Sequence, residues 1–70
     1  MKSDDLLRIL RRRAKRLGLR HEERSGKGSH LTLWHGDART ILPMHRQDLP
    51  IGALKAILKQ LGLDDADLED

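Results

Sequence analysis

Two amphipathic helix patterns lie near the ends of this 70-residue chain, and they leave space for only short strands between them. The first pattern places apolar residues on one side of a helical wheel, at Leu6, Leu7, Leu10, Ala14 and Leu17. We expect Ser3 to cap this helix and Gly18 to end it in the left-handed conformation. The second pattern has the same periodicity, at Ile51, Leu54, Ile57, Leu58 and Leu61. Pro50 suits its first turn, and Gly62 is expected at its end.

The segment between the two helix patterns alternates apolar and polar residues, which is typical of strands. The alternation is clearest over residues 29–35. A hairpin loop over 35–38 and a return strand over 39–42, ended by Pro43, are predicted to follow. Residues 19–24 give a weaker strand pattern. This order predicts an α+β fold of the type α-β-β-β-α, with two helices packed on one face of a small antiparallel sheet.

The chain is near the lower size limit for a domain that folds without covalent or metal cross-links, and it contains no cysteine. Disulfides and thiolate metal ligands are therefore excluded. No apolar run is long enough for a signal peptide or a transmembrane helix, so we expect a cytoplasmic protein without membrane contact. Both apolar stripes are needed for the core of the chain itself, and we therefore expect a monomer when the protein is free.

The charge is distributed unevenly along the sequence. All 14 Lys and Arg side chains lie within residues 2–59, whereas five of the 11 acidic side chains lie within 64–70. Residues 1–63 thus carry 14 basic against six acidic side chains, and a compact body this basic attracts phosphate backbones. We divide the chain into one domain, 1–63, and an acidic tail, 64–70. The tail is expected to be a frayed terminus rather than a segment folded over the basic surface.

The outer side of the first helix is basic and includes Arg12 and Lys15, with no acidic residue between Asp5 and Glu22. Such a face can bind RNA phosphates or an acidic partner protein, although a charged helix face is most often only solvated. Trp34 is the single aromatic residue of the chain. It could stack on a base, but we expect it to fill an edge of the core or a partner interface.

His30 is the main candidate for chemistry. It opens the clearest strand pattern, on the face opposite Leu31 and Leu33, and it follows a glycine-containing loop, Ser25–Gly28, that includes Lys27. An exposed imidazole can accept the proton of an RNA 2′-hydroxyl or protonate the leaving oxygen. Loop N–H groups and the lysine can stabilise the phosphorane oxygens. A single surface histidine is more often a bystander, so both interpretations remain open at this point.

The other histidines are weaker candidates. His45 follows Pro43 and could supply a second titrating group or a phosphate contact, or it could be an ordinary loop residue. His21 and His35 lie at a doubtful strand and at a loop edge. Nothing in the chain resembles a spaced set of metal ligands, and we expect neither a metal nor another cofactor.

As a set, these residues resemble the HicA family, the toxin component of HicA–HicB toxin–antitoxin systems. The resemblance covers the leucine-rich first helix ending at Gly18, Gly28-Ser29-His30 at the start of a strand, residues 39–45 with Pro43 and His45, and residues 52–63. The order and spacing of these segments are specific together, although each segment alone is not.

The resemblance implies a double-stranded-RNA-binding-domain-like fold, in agreement with the pattern above. It also implies a type II toxin that cleaves messenger RNA without a metal ion, as an endoribonuclease (mRNA interferase), until a HicB-type antitoxin protein covers its active site. His30 would be the catalytic residue. We expect contacts with single-stranded RNA from Lys27, Gly28, Ser29, His45, Arg12 and Lys15. The alternatives are a non-catalytic RNA-binding module of the same fold and a protein-interaction domain without an RNA role.

Overall fold

The computed structural model describes residues 1–44 and 46–69 of the chain. The elements are α1 (Ser3–Leu17), β1 (His21–Ser25), β2 (His30–His35), β3 (Ala38–Pro43), α2 (Ile51–Gln60) and a short 3₁₀ helix (Asp65–Leu68). The strands form an antiparallel sheet in the order β1-β2-β3. The predicted α-β-β-β-α fold is confirmed, with both helices packed against one face of the sheet. No helix within these residues has the length and apolar character that crossing a bilayer requires.

The apolar side of α1 contributes to the core, as its periodicity predicts. Its buried apolar side chains are Leu6, Leu7, Leu10 and Ala14. They pack with residues of the sheet and of α2, among which Leu33 and Leu42 are fully buried. Gly18 ends the helix with a φ of 68°, the left-handed conformation that glycine adopts without steric cost.

Two predictions at the ends of α1 are wrong. Lys2 occupies the N-cap position, and Ser3 is already helical. Ser3 is fully buried, and its hydroxyl donates a hydrogen bond to the carbonyl oxygen of Pro43, which joins the start of α1 to the end of β3. The N–H of Lys2 instead donates to the Asp5 carboxylate at 3.0 Å. Leu17 is 48% exposed because it lies in the last helical turn, outside the core cluster.

The second helix begins one residue later than predicted and ends as predicted. Pro50 is its N-cap residue, not a first-turn residue. Contact with the core is made by Leu54, Ile57, Leu58 and Leu61. Ile51 opens the helix before this stripe begins and is 73% exposed, so its assignment to the apolar side is wrong. Gly62 has a φ of 72°, and the N–H of Leu63 donates to the Leu58 carbonyl at 2.8 Å, the closure typical of a glycine-terminated helix.

The hairpin between β2 and β3 is tighter than predicted. Its loop is Gly36-Asp37 rather than residues 35–38, and His35 is therefore the last residue of β2, paired with Ala38. His35 lies on the buried face of the sheet and is only 3% exposed. The first strand starts two residues later than predicted, at His21, directly opposite His35. Two histidines thus meet under the helices.

The acidic segment after α2 is folded, contrary to the expectation of a frayed terminus. Asp64 caps the 3₁₀ helix by accepting hydrogen bonds from the N–H groups of Ala66 and Asp67. Leu68 packs against the core cluster, and an Asp67 carboxylate oxygen lies 3.8 Å from the Arg13 guanidinium of α1. This segment therefore lies against the basic helix, because it combines an apolar contact with charge complementarity.

Candidate active site and nucleic-acid interface

His30 is the first residue of β2 and lies on the face of the sheet that the helices leave uncovered. Its side chain is exposed, and its backbone is opposite Pro43 in β3. The face follows from the alternation of the strand, because Leu31 packs against the core and Leu33 is fully buried. A molecule in solution can therefore reach the imidazole directly.

The loop before His30 is fixed by backbone hydrogen bonds at both sides. The N–H of Gly26 donates to the His30 carbonyl at 2.9 Å, and the N–H of Met44 donates to the Ser29 carbonyl. Gly28 has a φ of 67°, which explains why a glycine is needed there. A side chain at Gly28 would meet nothing within 4 Å, so the space above the loop is open.

Four of the predicted site residues are consecutive in the chain and all are exposed. Lys27, Gly28 and Ser29 are exposed and adjoin His30. A lysine charge, an open loop backbone and an imidazole therefore lie within one short segment, which is an arrangement suited to a phosphate group. His45 lies outside the described residues.

Arg12 and Lys15 lie elsewhere. Both are exposed on the outer side of α1, whereas the inner side of that helix packs against the core. Because His30 is on the opposite, uncovered face of the sheet, the basic helix side and the imidazole point to different sides of the molecule. A single phosphate cannot contact all the residues that the sequence suggested.

The uncovered face of the sheet carries further residues that the sequence analysis did not assign to the site. We call it the open sheet face and define it by Arg24, His30, Thr32, Trp34, Arg39 and Ile41. Trp34 is half-buried, but it is neither a core residue nor one of the side chains packed on the core cluster. The expectation that it fills an edge of the core is therefore wrong, whereas its other alternative, a partner interface, stays a prediction. Instead the Arg24 guanidinium lies over its ring, 5.7 Å from the centroid.

The sequence contained a signal for only part of this face. Alternation within β2 places Trp34 on the same side as His30. Arg24 and Arg39 join them through the register between strands, in which Thr32 is opposite Arg24 and Trp34 is opposite Arg39. The predicted loop over 35–38 already implies the pairing of Trp34 with Arg39. The register between β1 and β2 depends on a loop whose ends the sequence pattern did not place correctly.

The covered face of the sheet holds a chain of polar contacts between α1 and the strands. Arg11 donates two hydrogen bonds to the Glu23 carboxylate, at 2.7 and 2.6 Å, and Glu23 also lies 2.7 Å from His21 Nε2. His21 and His35 are joined through their Nδ1 atoms at 3.2 Å. His35 Nε2 lies 2.9 Å from an Arg13 guanidinium nitrogen. We call these five residues the polar chain.

Three pKa values within the polar chain are shifted, and the hydrogen bonds to the Glu23 carboxylate raise that of Arg11. The Arg11 hydrogen bonds, assisted by His21, lower the pKa of Glu23 to about 2 despite the opposing effect of burial. Burial lowers the pKa of His35, and the neighbouring His21 and Arg13 charges lower it further. The polar chain is separated from His30 by the sheet, so it connects α1 to the strands rather than forming part of the exposed site. Within the described residues, no group of three or more His, Cys, Asp or Glu side chains could hold a metal ion.

Comparison with known protein families gives a match over most of the chain. A sequence model described as the HicA toxin of bacterial toxin–antitoxin matches residues 4–63 of the chain. Searches among curated proteins and among solved structures gave no match. The matched region includes α1 except its first residue, the whole sheet and α2, together with the Gly28-Ser29-His30 segment. This chain therefore belongs to the HicA toxin family of bacterial toxin–antitoxin systems.

Proposed function

We propose that this protein is the toxin of a type II toxin–antitoxin system and that it inhibits translation by cleaving messenger RNA. The reaction would be a metal-independent endoribonuclease reaction with His30 as general acid or base. The observation that carries the proposal is the exposure of His30 beside Lys27 and the open Gly28 backbone. These supply an acid–base group, a positive charge and N–H donors in one place.

The proposed chemistry is an attack within the RNA. The 2′-oxygen loses its proton and bonds to the adjacent phosphorus, while the bond from phosphorus to the 5′-oxygen of the next nucleotide breaks and that oxygen gains a proton. The products are a 2′,3′-cyclic phosphate and a free 5′-hydroxyl. His30 would either take the first proton or give the second. Lys27 would balance the charge that develops on the phosphorane oxygens.

The expected rate is modest. One acid–base group typically contributes about 10²–10⁴-fold. A toxin needs only to damage transcripts, and it can do so without rapid turnover.

The antitoxin would act by covering this site. The family match supports an antitoxin partner, and we propose that it is a HicB-type protein that binds over His30 and excludes RNA. The free toxin would be a cytoplasmic monomer. Lys27, Gly28, Ser29 and His45 would contact the single-stranded RNA near the scissile phosphate, whereas Arg12 and Lys15 would bind more distant phosphates across the other side of the molecule.

The test compares the wild type with His30→Ala on a long unstructured RNA in the presence of EDTA. Circular dichroism first shows that both proteins are folded, and the cleaved ends are then mapped. Asp37→Asn is the control, because Asp37 lies in the hairpin loop at the other end of β2. We expect the wild type and Asp37→Asn to cleave and His30→Ala to be inactive. Equal cleavage by all three proteins would contradict the assignment of His30.

The second candidate function is a non-catalytic RNA-binding module. It is favoured by the position of Arg12 and Lys15, which form a basic surface remote from His30. This alternative predicts no cleavage by the wild type. It also predicts that charge reversal at Arg12 and Lys15 abolishes RNA binding, whereas His30→Ala leaves binding intact.

A further inference from the structure

The open sheet face combines exposed apolar surface with basic side chains next to His30. Ile41 is 57% exposed and lies opposite Thr32, between the His30 end of the sheet and Trp34. The face thus places Ile41 and the half-buried Trp34 beside basic side chains, a combination that proteins use to bind single-stranded RNA. It is continuous with the site proposed above, because His30 is one of its members.

The charge of this face suits a polyanion. Arg39 is exposed and has no ion-pair partner among residues 1–44 and 46–69. Glu22 lies on the same side of β1, opposite Trp34, but its carboxylate is paired with Arg20 at 3.0 Å. The two arginines beside Trp34 therefore leave a positive field over the sheet, which attracts phosphates.

Trp34 adds a contact that phosphate binding alone does not need. The Arg24 guanidinium lies over the indole, and a flat cation and a flat aromatic ring are the two kinds of side chain on which unpaired bases stack. Arg39 is directly opposite Trp34 in the neighbouring strand. A base on the ring and a phosphate at the guanidinium of Arg39 could thus belong to one nucleotide.

The spacing along β2 connects this pair to the reacting group. Trp34 is four residues from His30, and at about 3.3 Å per residue the two lie about 13 Å apart along the strand. That distance spans a few nucleotides of extended RNA. We infer that the open sheet face is a binding track for single-stranded RNA, on which a base stacks at Trp34 and Arg24 while the scissile phosphate lies at His30. This inference rests on the proposed function and identifies the binding surface of the same site.

The experiment uses the single tryptophan of the chain as its probe. The full protein is titrated with an oligouridine of about ten 2′-O-methyl nucleotides, which lacks the free 2′-hydroxyl and cannot be cleaved. Tryptophan fluorescence reports stacking at Trp34, and the anisotropy of a dye on the RNA reports binding independently. We expect saturable quenching with the uridine chain, and binding without quenching for a matched chain of abasic sites.

Substitutions on the open sheet face test the same contacts. Trp34→Leu should weaken binding about 5- to 100-fold, as expected for the loss of one stacked base. Arg39→Gln should weaken binding and reduce the slope of log affinity against log salt by about one. Lys59→Gln is the matched control, because it removes one exposed positive charge from α2 on the other side of the sheet. It should leave both the quenching and the affinity unchanged.

Two results would overturn the inference. The first is salt-dependent RNA binding with no fluorescence change and with unaltered affinity in both Trp34→Leu and Arg39→Gln, since the RNA would then lie elsewhere. The second is unaltered RNA affinity in these variants together with loss of binding to the purified antitoxin, which would make the face a protein interface. If Trp34→Leu does not fold, the fluorescence of the wild type and the RNA affinity of Arg39→Gln still test whether RNA binds to the open sheet face. The proposed function fails separately, by the absence of His30-dependent cleavage.

Discussion

The Nδ1 atoms of His21 and His35 lie 3.2 Å apart between α1 and the sheet, and one hydrogen bond joins them. Arg13 can only donate to His35 Nε2, so His35 carries its proton on Nδ1 and donates it to His21. His21 then donates from Nε2 to Glu23, whose carboxylate also accepts from Arg11. All donors therefore point toward Glu23, and a further proton on His35 would face a guanidinium donor.

Because a further proton on His35 is unfavourable in this hydrogen-bond arrangement, we predict that the protein loses stability as the pH falls. The pKa of His35 is lowered in the folded protein mainly by burial, and electrostatic repulsion from Arg13, and from His21 whenever it is protonated, acts in the same direction. The unfolded chain therefore binds the proton at higher pH. The contribution of neutral His35 to the free energy of unfolding is complete above about pH 6.5. It is lost progressively below that pH, by at most about 1.4 kcal/mol per pH unit. Urea unfolding between pH 8 and 5 measures the slope.

His35→Leu supplies the comparison for this experiment. The substitution removes the titrating group from a buried position, so the slope between pH 7 and 5 should become shallower than in the wild type. Lys55→Gln, an exposed change on α2, should leave the slope unchanged. An identical slope in His35→Leu and the wild type would show that another group governs the pH dependence.

Removing the Glu23 carboxylate should weaken the attachment of α1 to β1. Glu23→Gln loses the two charge-assisted hydrogen bonds from Arg11, and we expect a loss of about 1 kcal/mol because the Arg11 side chain is largely exposed. The wild-type contribution should be present above about pH 4.5 and should fall as the pH approaches the lowered pKa of about 2.

A double-mutant cycle isolates this interaction. Arg11→Gln, Glu23→Gln and the double variant are unfolded in urea at pH 7, and the coupling energy is obtained from the four stabilities. Strictly additive losses would mean that the ion pair contributes nothing and that Glu23 acts only through His21.

The fold could be predicted from the sequence because its periodicities are strong and its stop signals are glycines. Leu6, Leu10, Leu58 and Gly62 all have the roles that their spacing predicts. The prediction errors lie at the ends of helices and strands, where the role of a single residue fixes the boundary. Ser3 was expected to cap α1, but its buried hydroxyl donates to a strand 40 residues away, and no local pattern contains that partner.

The candidate site was predictable only where its residues are consecutive. Lys27 to His30 form one segment, so the sequence alone brought them together. The two-residue hairpin loop was missed, and with it the burial of His35. The pairing of Trp34 with Arg39 is the same for the predicted loop over 35–38 and the observed loop, because both have the same centre. The pairing of Arg24 with Thr32 depends instead on the loop between β1 and β2, which the sequence pattern did not place correctly.

The core should tolerate little loss of volume. Leu33 is fully buried at the centre of β2, and Leu33→Ala should cost about 2–5 kcal/mol, a large part of the stability of a domain of this size. Ile51→Ala removes similar volume from a side chain that is 73% exposed and should change stability by less than about 0.5 kcal/mol. Thermal unfolding followed by circular dichroism measures both. Equal effects would contradict the placement of the core.

The last prediction concerns two glycines with opposite expected responses to alanine. Gly28 has a φ of 67°, whereas Gly52 lies within α2, and an added Cβ would meet no atom within 4 Å at either position. Any difference between the effects of alanine at the two positions therefore comes from the backbone conformation. Gly28→Ala should cost about 1 kcal/mol because it forces an L-residue into the left-handed region.

Gly52→Ala should instead stabilise the protein by about 0.5 kcal/mol, because alanine favours the helix. Urea unfolding gives the two stabilities, and cleavage of the unstructured RNA gives the two activities. Because Gly28 adjoins His30, we expect Gly28→Ala to lose activity even at temperatures where it is fully folded, while Gly52→Ala keeps wild-type cleavage. Full activity in folded Gly28→Ala would show that the backbone of this loop does not position the phosphate.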